Sequence, residues 1–245
     1  MKNRILIALL AGAFAVLSAG SALAIPALQI YIEGAEFDAA TETWVTESSG
    51  SLRLWAVGAV EDYGPILDVK LSIAYATGLT PTFGLSGSTT GGYNGFVDPS
   101  SPSAPVFSQI GADGSQPLLG DGAPLPSHGI YGPGTQWTEF DLGDFTLTDS
   151  YIADFNGSTD TPTPHASKEG QINVYDLTFA GVPEGTALHF DLYDHYYNRN
   201  ENAVYTKAPF SHDGETTTVP EPGTLALVGL GAAGLAARIR KRSTK

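Results

Sequence analysis

The chain has 245 residues, with 26 acidic residues against 12 Lys and Arg, a formal charge of −14 and no cysteine. An acid excess of this size repels polyanions and excludes nucleic-acid binding. The missing thiols exclude disulfides, Cys nucleophiles, haem attachment through C-x-x-C-H and Cys-ligated zinc.

Lys2 and Arg4 precede an apolar run from Ile5 to Leu17, and Ala22 and Ala24 supply the small residues that signal peptidase needs at −3 and −1. Residues 1–24 therefore read as a secretory signal peptide cut after Ala24, which makes the translocon and signal peptidase the first partners. The run is shorter than the roughly 20 residues of a comfortable membrane span.

Residues 25–215 carry the pattern of a β-domain. Leu28–Ile32, Thr43–Glu47 and Leu52–Val60 are strand candidates, and Leu67–Tyr75 alternates without error, placing Leu67, Val69, Leu71, Ile73 and Tyr75 on one face. Between residues 78 and 135 the texture changes: 13 Gly, 8 Pro and 8 Ser make up half of the segment, while Phe83, Tyr93, Phe96, Phe107 and Tyr131 argue for partial order. Trp137–Leu142, Phe145–Thr148, Ile172–Phe179 and Leu188–Leu192 complete the strand candidates. The third of these changes phase between Val174 and Tyr175, which predicts a bulge that keeps both halves facing the core. Glu33-Gly34, Asp113-Gly114, Asp121-Gly122 and Asp213-Gly214 mark turns. With no helical period, seven to nine strands predict an all-β fold, an antiparallel β-sandwich with long Gly/Pro/Ser-rich loops.

The candidate chemistry is sparse. His189 and His195 have H-x₃₋₅-H spacing, but six steps along a strand separate them by about 20 Å, too far for one zinc ion. Ser211-His212-Asp213 spells triad letters in neighbours that point to opposite faces. The segment from Asp191 to Glu201 gathers carboxylate and amide oxygens, and hard cations want such ligands. Asp191, Asp194 and Asn198 are the candidate ligands of a Ca²⁺ ion at this strand exit; the competing reading is a solvated acidic loop. No catalytic residues and no other cofactor are expected.

Residues 216–245 form a tail of three parts: Val219, Pro220, Glu221 and Pro222; a hydrophobic helix over about 223–240; and a basic end of Arg238, Arg240, Lys241, Arg242 and Lys245. The basic cluster is a stop-transfer signal that keeps the C-terminus inside and the preceding domain outside. An apolar helix of 14 to 16 residues spans only about 21–24 Å of a core about 30 Å thick, which suits a transit segment better than a lasting anchor. Gly229, Gly231 and Gly234 match G-x-G-x-x-G, yet too few residues follow for a dinucleotide fold. From the signal cut through Pro222, residues 25–222 keep all 26 acids and five cations, Arg53, Lys70, Lys168, Arg199 and Lys207, for a charge of −21.

This tail resembles the PEP-CTERM sorting signal, which implies recognition of Pro220, Glu221 and Pro222 by a membrane protease of the exosortase class. Leu125–Gly134, Asp141–Phe145 and Ala208–Gly214 resemble the choice-anchor families, choice-anchor N in particular, whose similar exported domains carry alternative C-terminal anchors. The expectation is an exported, exosortase-sorted protein without catalytic activity. It passes through the inner membrane on its C-terminal helix and ends at the cell surface or in the extracellular matrix. The alternative is a calcium-assisted carbohydrate-binding or adhesion module, with Tyr193, Tyr196 and Tyr197 as a platform for envelope or extracellular polysaccharide. A secreted hydrolase is the remaining class, and it requires a cleft of converging polar groups.

Overall fold

A computed structural model describes residues 25–41, 43–88, 96, 102, 104–155, 168–209 and 212–219. The predicted signal peptide and the sorting tail from residue 220 onward lie outside the described residues. Among the described residues, no helix is long and apolar enough to cross a membrane.

Thirteen strands are described: β1 (Leu28–Ile32), β2 (Glu36–Asp38), β3 (Thr43–Ser48), β4 (Ser51–Gly58), β5 (Ile66–Ala76), β6 (Thr82–Gly87), β7 (Val106–Gly111), β8 (Thr135–Phe145), β9 (Ser150–Ile152), β10 (Lys168–Ala180), β11 (Ala187–Tyr197), β12 (Ala203–Lys207) and β13 (Gly214–Thr218). They form two sheets. The first has the order β1-β4-β10-β6, with β9 also paired to β10; the second has the order β2-β3-β13-β11-β5-β8-β7, with β12 also paired to β11. Pairing is antiparallel except between β13 and β3, which run parallel. The all-β sandwich expected from the alternating apolar pattern is the observed fold. Seven to nine strands were too few: β2, β9 and β13 are short and polar and carry no apolar alternation, and β6, β7 and β12 also lie outside the candidate segments.

The core lies between the sheets. Leu28, Ile30 and Ile32 of β1 share a face with Leu54 and Ala56 of β4 through the β1–β4 register. That face meets the second sheet, where a Cβ on Gly214 would touch the side chains of Ile30 and Ile32. Phe190↔Ile73↔Thr138 and Leu192↔Leu71↔Phe140 align the inward residues of β11, β5 and β8.

Four sequence expectations are corrected. Leu67 does not share the inward face of Val69, Leu71, Ile73 and Tyr75: the register of β5 shifts between Ile66 and Val69, where Asp68 takes φ 53°, and Ile66 is the fully buried residue instead. The β10–β4 register runs unbroken from Gln171 to Thr178, so no bulge separates Val174 from Tyr175. Both are buried because the first sheet is covered on both faces: Tyr175 faces inward, while Val174 shares the outer face with Trp55. That outer face is closed by residues 153–155, whose Ala153 carbonyl accepts from Gln29 and whose Phe155 amide donates to it. Phe145–Thr148 is not a strand, since β8 stops at Phe145 and the amides of Thr146 and Leu147 donate to the Gln171 side-chain oxygen at 2.7 and 2.9 Å. β4 ends at Gly58 rather than Val60, and Val60–Tyr63 forms one helical turn, α1, closed by Gly64 at φ 79°. Glycine takes that left-handed conformation without steric cost.

Of the Gly/Pro/Ser-rich segment, residues 112–134 form an ordered lobe over the outer face of the second sheet. Leu125 and Tyr131 are buried there in a small second core with Ala74, Trp137 and Tyr193. Trp137 ties the lobe down by donating its indole N–H to Ser115, 3.2 Å from the carbonyl and 3.1 Å from Oγ.

Candidate functional site

A buried polar layer separates this lobe from the sheet. The period of two along a strand places His189, Asp191 and Tyr193 of β11 on the outward side, opposite the inward Leu188, Phe190 and Leu192. Register adds Ala74, Ser72 and Lys70 of β5 and then Trp137, Glu139 and Asp141 of β8 to the same face. Asp213, just before β13, and His128, from the lobe, complete the layer.

Four side chains converge. One ligand atom from each of His128, His189, Asp191 and Asp213 lies within 4.8 Å of all the others. His128 Nε2 is 2.9 Å from His189 Nε2, 3.7 Å from Asp191 Oδ1 and 3.5 Å from Asp213 Oδ2. His189 Nε2 is 3.5 Å from Asp191 Oδ2 and 3.4 Å from Asp213 Oδ2. The side chains are 8 % exposed for His128, 6 % for His189 and 1 % for each aspartate. Asp191 Oδ1, Asp213 Oδ1 and His189 Nδ1 are buried without a hydrogen-bond partner.

The neighbours fix the orientation of this set. His128 Nδ1 is 2.9 Å from the Pro126 carbonyl, which only accepts, so Nδ1 carries the proton and Nε2 of a neutral ring offers a lone pair to the cluster. His128 is held at φ 33°, a conformation uncommon for a residue with a side chain. The Tyr131 hydroxyl donates to Asp191 Oδ2 at 2.6 Å and lies 3.0 Å from Ser72 Oγ. Burial opposes charge on His189, but hydrogen bonds and charge from Asp191 and Asp213 outweigh it and raise its pKa to about 10. Burial likewise opposes the Asp191 carboxylate, yet His189 and His128 hold its pKa below the ordinary value.

The predicted calcium ligands part company. Asp191 joins the cluster. Asp194, fully buried, lies 3.0 Å from His195 Nδ1 and 3.8 Å from Lys70 Nζ. Asn198 Oδ1 accepts from the amides of Asn200 and Asn202 and so closes the loop after β11. The three tyrosines also separate: Tyr193 is fully buried and donates to Glu139, Tyr196 packs edge-on against Tyr63, and Tyr197 is 52 % exposed. His189 and His195 do not meet; His212 faces Asp154 while its neighbour Asp213 faces the cluster. Ser211 lies outside the described residues. One cavity, about 480 Å³, runs beside the cluster, and of the four residues only His189 lines it.

Sequence reasoning missed His128 and Asp213. The His189-x-Asp191 spacing was a usable signal, since i and i+2 of a strand share a face. Asp213 reaches them only through the β11–β13 pairing, and His128 only through the docking of the lobe.

Burial also governs the tyrosines here. Tyr175 and Tyr193 are held well above the usual value of 10.0, chiefly by burial, with Glu139 adding to the effect at Tyr193. A raised folded-state pKa leaves stability intact below pH 10 and removes it above, as the unfolded chain gains the option of ionising. Absorbance titration is therefore expected to show these two phenols ionising together with unfolding. Their ionisation ahead of any change in circular dichroism would contradict the burial assigned to them.

Structural comparison gives low similarity. Two structures of BcpA, the major pilin subunit of Bacillus cereus, align with TM-scores of 0.29 and 0.26 at 10 % and 12 % identity, covering 80 % and 79 % of this chain and 40 % and 39 % of the pilin. The C-terminal domain of the Streptococcus agalactiae AgI/II polypeptide BspA aligns with a TM-score of 0.21 at 12 % identity, over 79 % of this chain and 50 % of that one. The chain thus spans half or less of each of these proteins. No curated protein matches its sequence significantly. At its C-terminus, residues 218–241 match the PEP-CTERM protein-sorting motif, and the chain carries that sorting signal.

Proposed function

We propose that the chain is a non-catalytic surface protein, exported, presented by its PEP-CTERM tail to an exosortase and left at the cell surface or in the extracellular matrix. The sorting motif at residues 218–241 carries this reading. Pro220, Glu221 and Pro222 are the recognition elements, and the basic residues from Arg238 onward hold the tail at the inner membrane until it is processed. The choice-anchor resemblance agrees with it, because such domains are joined to interchangeable anchors.

The domain suits an extracellular, non-enzymatic role. Its charge of −21 keeps it soluble and apart from anionic polymers. Among the described residues, the group of His128, His189, Asp191 and Asp213 lies beneath the lobe with side chains at most 8 % exposed, and only His189 of the four lines the adjacent cavity, so the four do not converge on a space that a substrate enters. Replacing Pro220, Glu221 and Pro222 by alanine is expected to hold the full-length protein in the inner-membrane fraction, while wild type reaches the surface or the medium. Equal delivery of both proteins would contradict the reading.

A further inference from the structure

We infer that His128, His189, Asp191 and Asp213 form a closed four-coordinate site for a divalent transition-metal ion, zinc foremost, which pins the 112–134 lobe to the second sheet. The distances are the first argument. With Asp191 Oδ1 as the ligand atom, three of the four quoted ligand–ligand edges lie between 3.4 and 3.7 Å, the 3.5 Å contact of His189 being to Asp191 Oδ2. Good hydrogen bonds to nitrogen cluster at about 2.9–3.0 Å, so these contacts are long as hydrogen bonds. Nitrogen and oxygen ligands about 2.0–2.1 Å from zinc in a tetrahedron stand about 3.3 Å apart, close to what is observed. Only the His128–His189 edge, 2.9 Å, is shorter.

The second argument is the orphaned oxygen. Asp191 Oδ1 is buried, has no hydrogen-bond partner and is 3.7 Å from His128 Nε2. Such an atom costs free energy unless something bonds to it. A cation between the four ligand atoms satisfies it, and two carboxylates neutralise a dication. His128 is already turned for this by Pro126, and Asp191 by Tyr131, the outer-shell support that metal ligands ordinarily have.

Ligand chemistry selects the ion. Two imidazoles and two carboxylates suit zinc and its neighbours, whereas calcium takes roughly six to eight oxygens. All four ligands come from the protein, so no position is left for a bound water, which marks a structural site. It joins three separate parts of the chain: the lobe, β11 and the start of β13.

The test uses the chain purified after export, stripped with EDTA and titrated with Zn²⁺ against a chromophoric chelator. Expected are one zinc per chain with submicromolar Kd, no displacement by a large excess of Ca²⁺, and the intense visible bands of four-coordinate cobalt on Co²⁺ substitution. His128→Ala, in the lobe and outside both sheets, is expected to keep the wild-type far-ultraviolet circular dichroism and lose at least about tenfold in affinity. Tyr131→Phe is expected to weaken binding less than His128→Ala. Chymotrypsin is expected to cut the lobe, at Leu118, Leu119 or Leu125, faster in the stripped protein than with zinc restored. Substoichiometric zinc in wild type, displacement by Ca²⁺, or unchanged affinity in folded His128→Ala would overturn the inference. None of these outcomes bears on sorting by the C-terminal tail.

Discussion

Trp44→Ala is expected to lower the thermal midpoint of the exported domain by about 10 °C or more. The indole of Trp44 is fully buried and joins parts of the fold distant in sequence. Its ring meets Tyr31 edge-on at 5.0 Å and Phe37 at 5.4 Å, and Nε1 donates to the Phe155 carbonyl at 2.9 Å. Truncating a buried tryptophan costs about 3–5 kcal/mol in transfer and cavity terms, and the carbonyl left behind adds about 1–3 kcal/mol. Against a total stability of about 5–15 kcal/mol this is a large share. For a domain of this size each kcal/mol moves the midpoint by about 2–4 °C. Trp44→Phe keeps a ring but drops the hydrogen bond, and is expected to cost about half as much. Calorimetry of the three proteins decides the matter: equal midpoints would mean that the indole does not join the sheets as described.

Gly111→Ala is the second large effect, and it acts on the lobe. A Cβ at position 111 would stand 2.0 Å from Trp137 Cε2 and 2.2 Å from Nε1, inside the ring's own volume. The ring cannot turn aside cheaply, because Trp137 is 4 % exposed, packs in the lobe core and is bonded to Ser115. Overpacking of this kind costs about 1–3 kcal/mol. The cost falls on the contact that holds residues 112–134 down, so local opening should increase more than global unfolding. Limited proteolysis of wild type and variant is expected to show faster cleavage within the lobe with the sheets still intact. Identical cleavage would show that the lobe is held independently of Trp137.

The parts of this fold that were legible in the sequence are those whose burial has a single period. Val69–Tyr75 alternates because β5 buries one face against the first sheet and gives the other to a polar layer, whereas Leu67 falls off that face because the strand shifts register at Asp68. The class of fold followed from several such segments. β10 was misread because both of its faces are covered, so a change of phase that suggested a bulge marks a strand buried on two sides. Phe145–Thr148 was misread because a side-chain amide, Gln171, supplies the partner that a neighbouring strand would otherwise supply. The His128–Asp213 convergence had no linear signature at all: register brings β11 beside β13, and only the docked lobe brings His128 to both. The sorting motif at residues 218–241 was legible as a pattern, since it is a linear one.

Sorting through that tail is the centre of the account, and the intact mass of the surface protein tests it most directly. Measured in wild-type cells and in cells lacking the exosortase, the protein is expected to begin at Ile25 in both. In wild type it should end near Pro222, with Arg238 to Lys245 gone, and in the deficient cells it should run to Lys245. A tail retained in both strains, or removed in both, would contradict it.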